Sequence, residues 1–83
     1  MQVIIHLGEP YWRITGGRVV NMELDESAVL ADLIALLRQR WPALAHDLDE
    51  ASPMFFVNDT QADLDTRLES GSHVHILWPM AGG

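Results

Sequence analysis

The chain has 83 residues, with twelve Asp and Glu against five Arg, no Lys, and a formal net charge of −7. That length supports one domain with a thin core, and the acidic balance argues against nucleic acid as a partner, since such binding needs a basic footprint. No apolar run reaches the ~18 residues of a membrane span and no leader pattern opens the chain, so a cytoplasmic protein without a membrane partner is expected; the lack of cysteine removes disulfides, thiol nucleophiles and Cys-based zinc sites.

The β-branched run "QVIIHL" at 2–7 reads as a first strand, ended by Gly8 and Pro10. Residues 8–18, "GEPYWRITGGR", read as an ordered connection. Gly16 and Gly17 serve turn geometry there rather than phosphate binding, because neither a helix start nor a Lys-Ser/Thr pair follows. "VVNMEL" at 19–24 alternates Val20, Met22 and Leu24 against Val19, Asn21 and Glu23, as a strand with one buried face does. The period then changes to about 3.6: Val29, Leu30, Leu33, Ile34, Leu36, Leu37 and Trp41 share one helical face. Asp25 or Ser27 is the expected cap, Arg38 and Arg40 suit the negative end of the dipole, and Pro42 forces a stop. "ALAHDLDEAS" is polar with Leu44 and Leu48 as anchors, and reads as a further short turn of helix. "PMFFVND" is a third strand running into a turn at Asn58-Asp59. "LDTRLESGS" is a connection pinned by Leu68 and turned at Gly71, and "HVHILWP" is the last strand.

This order predicts a two-layer α+β domain in which four to five strands curl around one main helix, with the last strand beside the first at the centre of the sheet. Strand alternation then defines an outer face. With Val3, Ile5, Leu7, Phe55, Val57, Val74 and Ile76 inward, the residues Ile4, His6, Phe56, His75 and Leu77 form one exposed patch with Trp78 at its end. A contiguous apolar patch on a small domain reads as a protein interface. His6, His73 and His75 fall close enough to raise the question of zinc, but no fourth ligand is placed beside them, and the reading is no metal site. A partner surface that loses affinity as imidazoles charge near pH 6 is the stronger alternative if that partner is basic. His46 reads as solvated.

The order of elements, the "VN" turn at Val57-Asn58, the approach "LESGSHVHIL", "RITGGR" at 13–18 and the end "PMAGG" together resemble the MoaD/ThiS family of ubiquitin-like sulfur carriers over essentially the whole chain. The resemblance implies a β-grasp domain over 1–78 and a flexible tail over 79–83. It implies that the carboxylate of Gly83 is adenylated with ATP by an E1-like enzyme and converted to a thiocarboxylate. That group then donates sulfur to a synthase subunit or other acceptor enzyme. Pro79, Met80, Ala81 and Gly82 would enter the partner's active site, no cofactor would be held by the carrier itself, and ATP would belong to the activating partner. The residue types suit that role: Gly82 and Gly83 have no Cβ to obstruct a narrow slot, and Pro79 fixes φ just before them, lowering the entropy lost on threading. Pro79 and "MAGG" favour the molybdopterin or cysteine type over the thiamin type.

Two departures from the family pattern stand out. Trp78 replaces a small residue or proline and reads as an anchor on the domain edge, with partner recognition as the alternative; Tyr11 and Trp12 carry the same ambiguity. Asp59 replaces the glycine common after the Asn of the turn. Two other classes of function stay open, a protein modifier conjugated through Gly83 and an unreactive interaction module. An enzyme is the weakest reading, because Asp32, Asp63 and Asp65 are scattered and Ser27, Ser52, Ser70 and Ser72 fall at caps or turns.

Overall fold

The computed structural model describes residues 1–9, 11–51 and 53–78. The expected tail, Pro79, Met80, Ala81, Gly82 and Gly83, lies outside the described residues, as does Ser52. In chain order the elements are β1 (Gln2–Leu7), α1 (Tyr11–Thr15), β2 (Val19–Glu23), α2 (Leu30–Arg40), α3 (Pro42–Ala51), β3 (Met54–Val57), β4 (Thr60–Ala62) and β5 (His73–Leu77). The strands form one mixed sheet in the order β2-β1-β5-β3-β4. Its central pair, β1 and β5, is parallel, and every other pairing is antiparallel. This is the β-grasp arrangement that the resemblance implies.

Alternation along the strands decides which side chains make the core. Val3, Ile5 and Leu7 of β1 and Val74 and Ile76 of β5 are buried, and α2 sets Leu30, Leu33, Ile34 and Leu37 into the same cluster. Leu44 and Leu48 of α3 and the pinned Leu68 complete it. Each fully buried leucine or isoleucine contributes roughly 1.5–3 kcal/mol relative to exposure. Gly71 makes its turn at φ +83, and Ser72 beside it is buried with its Oγ accepting from the backbone N–H of Glu69 at 2.9 Å. Among the described residues, no helix is long and apolar enough to cross a membrane.

Three expectations need correction. The 8–18 connection contains α1, whose Tyr11 is fully buried and whose end is closed by Gly16 at φ +85, its N–H donating to the carbonyl of Trp12. The segment after Pro42 is a ten-residue helix rather than a short turn, because Pro42 stops α2 and at the same time opens α3 at the first helical position, where its missing N–H costs nothing. Neither Asp25 nor Ser27 caps α2; the N-cap is Val29, whose N–H donates to the Asp32 carboxylate at 2.9 Å. The free N–H groups of Leu30 and Ala31 are met by the carbonyls of Thr66 and Leu64 at 2.9 and 3.0 Å, so a distant backbone segment does the work of a local cap. The turn expected at Asn58-Asp59 is present and joins β3 to β4, the fifth strand of the sheet, and both central residues of this two-residue hairpin have positive φ, 49° and 71°. That is the signature of a type I′ turn.

Candidate functional site

The outer face of the sheet is built by register. Val19, His6, His75, Phe56 and Gln61 lie opposite one another on successive strands and form one row across all five. Asn21, Ile4 and His73 form the row on one side, and Leu77 and Met54 that on the other. The predicted patch residues Ile4, His6, Phe56, His75 and Leu77 are thereby brought onto one surface. Ile4, His6, Phe56 and His75 are half-buried; Val19, Met54, Leu77 and Trp78 are 38–55% exposed. Phe56, His75 and Leu77 line a shallow hollow whose fourth wall is Asp59. Of the outward strand positions, only Glu23, at the far end of β2, carries a full charge. On a chain of net charge −7, this face is one from which full charges have largely been kept away.

The imidazoles gather at the middle of this face. His6 stacks on His75 with ring centroids 4.3 Å apart and planes 9° from parallel, and on His73 at 5.1 Å and 20°. Nε2 of His6 and Nδ1 of His73 are 2.8 Å apart, a hydrogen bond in which one nitrogen donates and the other accepts. Burial lowers the His6 pKa, with the neighbouring His75 and His73 adding to the effect. His73 is also held from its backbone, since its N–H donates to the Asn58 side-chain oxygen and its carbonyl accepts from the Asn58 N–H, both at 2.9 Å. Among the described residues, no three His, Asp or Glu side chains are arranged to hold a metal ion.

Trp78, the last described residue, lies against Tyr11 of α1, with ring centroids 5.7 Å apart and planes tilted by 44°. Burial, helped by the Asp47 carboxylate, pushes the Tyr11 hydroxyl up to about 12, and this hydroxyl has no hydrogen-bond partner among the described residues. Beside it the guanidinium groups of Arg18 and Arg13 lie 4.9 and 5.5 Å from the centre of the Trp12 ring. Two of the carboxylates weighed as catalytic candidates are engaged in local hydrogen bonds. Asp32 accepts from the α2 N-cap, and Asp63 accepts from the Asp65 N–H and the Thr66 hydroxyl.

Sequence reasoning missed Val19, Met54 and Asp59 as members of this face. The outward position of Val19 was legible in the alternation of β2, but its place in the His6 row depends on the β1–β2 register. Asp59 reaches the hollow only through the hairpin turn.

Among curated protein sequences, none matches the chain. Several solved structures share its fold. SAMP1, the small archaeal modifier protein 1 of Haloferax volcanii, superposes with a TM-score of 0.87 at 21% identity, covering 100% of both chains. A chain from the complex of subunits 1 and 2 of molybdopterin-converting factor from Helicobacter pylori gives 0.72 at 25% identity, again over 100% of both. One from the BexX/CysO complex of Amycolatopsis orientalis gives 0.77 at 21% identity, covering 98% of this chain and 99% of that one. A sequence model of the family reaches from the first strand to the last residue, matching 2–83, and the chain accordingly belongs to the ThiS family.

Proposed function

We propose that this chain is a sulfur carrier that works through the carboxylate of Gly83. An E1-like enzyme would bind the outer sheet face and take residues 79–83 into its active site. There the Gly83 carboxylate oxygen attacks the α-phosphorus of ATP and pyrophosphate leaves. A sulfur nucleophile at the level of hydrosulfide, supplied by a partner, then attacks the acyl carbon and displaces AMP, leaving a thiocarboxylate that a synthase subunit or other acceptor enzyme consumes. The reaction requires no side-chain nucleophile on the carrier, which suits a chain without cysteine. The observation that carries this reading is the family match, which runs through Gly82 and Gly83. Molybdopterin-type and cysteine-type acceptors are favoured, in keeping with the "PMAGG" end and the fold shared with the Helicobacter and Amycolatopsis chains.

The likeness to an archaeal modifier protein favours a second reading, in which the same adenylate is transferred to an amine of another protein. Intact mass of the chain from its own cells, with alkylation in parallel, separates the two. A thiocarboxylate adds about 16 Da, the increment of one methionine oxidation, so uptake of the alkylating label by this cysteine-free chain is the deciding signal. A labelled terminal fragment supports the carrier. An unlabelled chain accompanied by higher-mass conjugates on a denaturing gel would replace it by the modifier, and deletion of Gly83 without effect on either product would sink both.

A further inference from the structure

We propose that the stacked imidazoles of His6, His73 and His75 make the outer sheet face a pH gate, which docks on an apolar, uncharged partner surface while the cluster is neutral and releases it when the cluster takes up protons. This rests on the outer face being the docking surface of the carrier.

The argument begins with the hydrogen bond. His6 Nε2 and His73 Nδ1, 2.8 Å apart, have room between them for one proton. With both imidazoles protonated, two N–H groups face each other, the bond is lost, and the rings must separate. The His6–His75 stack at 4.3 Å adds a second repulsive pair as soon as both rings charge. His6 sits between the other two, and each neighbour opposes its protonation.

The surroundings offer little compensation. On β1 the outward neighbours are Gln2 and Ile4; on β2, Val19 and Asn21, with the Glu23 carboxylate beyond them; on β3, Met54 and Phe56; and on β4, Gln61. One carboxylate, that of Asp59 in the hairpin turn, shares the hollow with His75. The guanidinium of Arg18, at the start of β2, is drawn to the Trp12 ring.

Docking takes this face out of water. Imidazolium in the middle of that desolvated face must then lose either its hydration or its proton, and both oppose binding. A partner surface bearing carboxylates opposite the cluster would show the reverse dependence. The apolar rim of Val19, Phe56, Met54 and Leu77 instead fits an apolar surface.

The test is the affinity of the full chain for the E1-like activating enzyme of the same cells, by calorimetry at about pH 7.5 and about pH 5.5, for the wild type and for the double variant His6→Gln, His73→Gln. The wild type is expected to bind at least about tenfold more weakly at the lower pH, and the double variant to lose most of that difference. Equal wild-type affinities at the two values, or the same loss in the double variant, would overturn the gate and leave the docking surface standing. No binding at either pH would overturn the docking reading, and the gate with it. Ring titration of the free wild-type chain by NMR gives a check that needs no partner. His6 is expected to titrate below its ordinary value; an ordinary His6 midpoint overturns the gate.

Discussion

Replacing Asp59 by glycine tests the hairpin turn directly. Asp59 is held at φ +71, where an L-residue's Cβ crowds the adjoining carbonyl oxygen at a cost of roughly 1–2 kcal/mol. Asp is among the residues that tolerate this region, so the lower half of that range applies. Glycine removes the crowding but enlarges the conformational freedom of the unfolded chain, returning about 0.4–1 kcal/mol of the gain. Asp59 is exposed and its side chain makes no hydrogen bond or ion pair with any described residue, so no polar contact is lost. The expected net effect of Asp59→Gly is a stabilisation of about 0–1 kcal/mol. For a domain of this size, that corresponds to a rise in Tm of up to roughly 8 °C. Urea unfolding at neutral pH would read it as a higher midpoint at unchanged slope. Asn58→Gly at the neighbouring position should gain less, because asparagine is at home in the left-handed region. A destabilised Asp59→Gly, or a larger gain at Asn58 than at Asp59, would refute the type I′ assignment and the strain assigned to it.

Three further outcomes are expected. Tyr11→Phe removes a buried hydroxyl that has no partner among the described residues and keeps the ring that supports Trp78, so thermal unfolding should show stability unchanged or raised by about 1 kcal/mol; a loss of that size would mean the hydroxyl is bonded in solution. Phe56→Asp puts a carboxylate into the central row of the outer face and should weaken binding to the activating enzyme at least about tenfold while leaving the circular dichroism spectrum intact, and normal binding would remove this face from the docking surface. The His6 pKa is lowered in the fold, so the unfolded chain binds more protons there: no penalty exists above pH 6.5, and stability falls as pH drops from 6.5 through the lowered value. His6→Phe should flatten that part of the stability profile, and an unchanged profile would mean His6 titrates alike in the folded and unfolded states.

Where one chain segment carries its own period, its structure could be read directly. The alternation of β1 and β5 and the helical spacing of Leu30, Leu33, Ile34 and Leu37 each name a buried face without reference to the rest of the molecule. Elements whose support is non-local escaped. β4, "TQA", is a short edge strand with no apolar alternation, and exists as a strand because β3 is folded back beside it. α1 is only five residues long, too short to stand alone, and depends on burying Tyr11. The start of α2 is closed by carbonyls more than thirty residues away in sequence, which no local capping pattern reveals. The candidate site divides in the same way. Outward positions followed from alternation, but the stack of His6 between His73 and His75 needed the parallel register of β1 and β5.

That register also bears on mechanical load. β5 leads to Trp78 and thence to the segment that a partner would draw on, and it is flanked on one side by β1, parallel to it, and on the other by β3, antiparallel. A pull applied at Trp78 therefore runs along β5 and loads both ladders of hydrogen bonds in shear, many at once. An edge strand such as β4 would instead be peeled from its single neighbour one bond at a time. With Val74 and Ile76 anchored in the core on the same strand, the domain is built to keep its shape while its end is under tension.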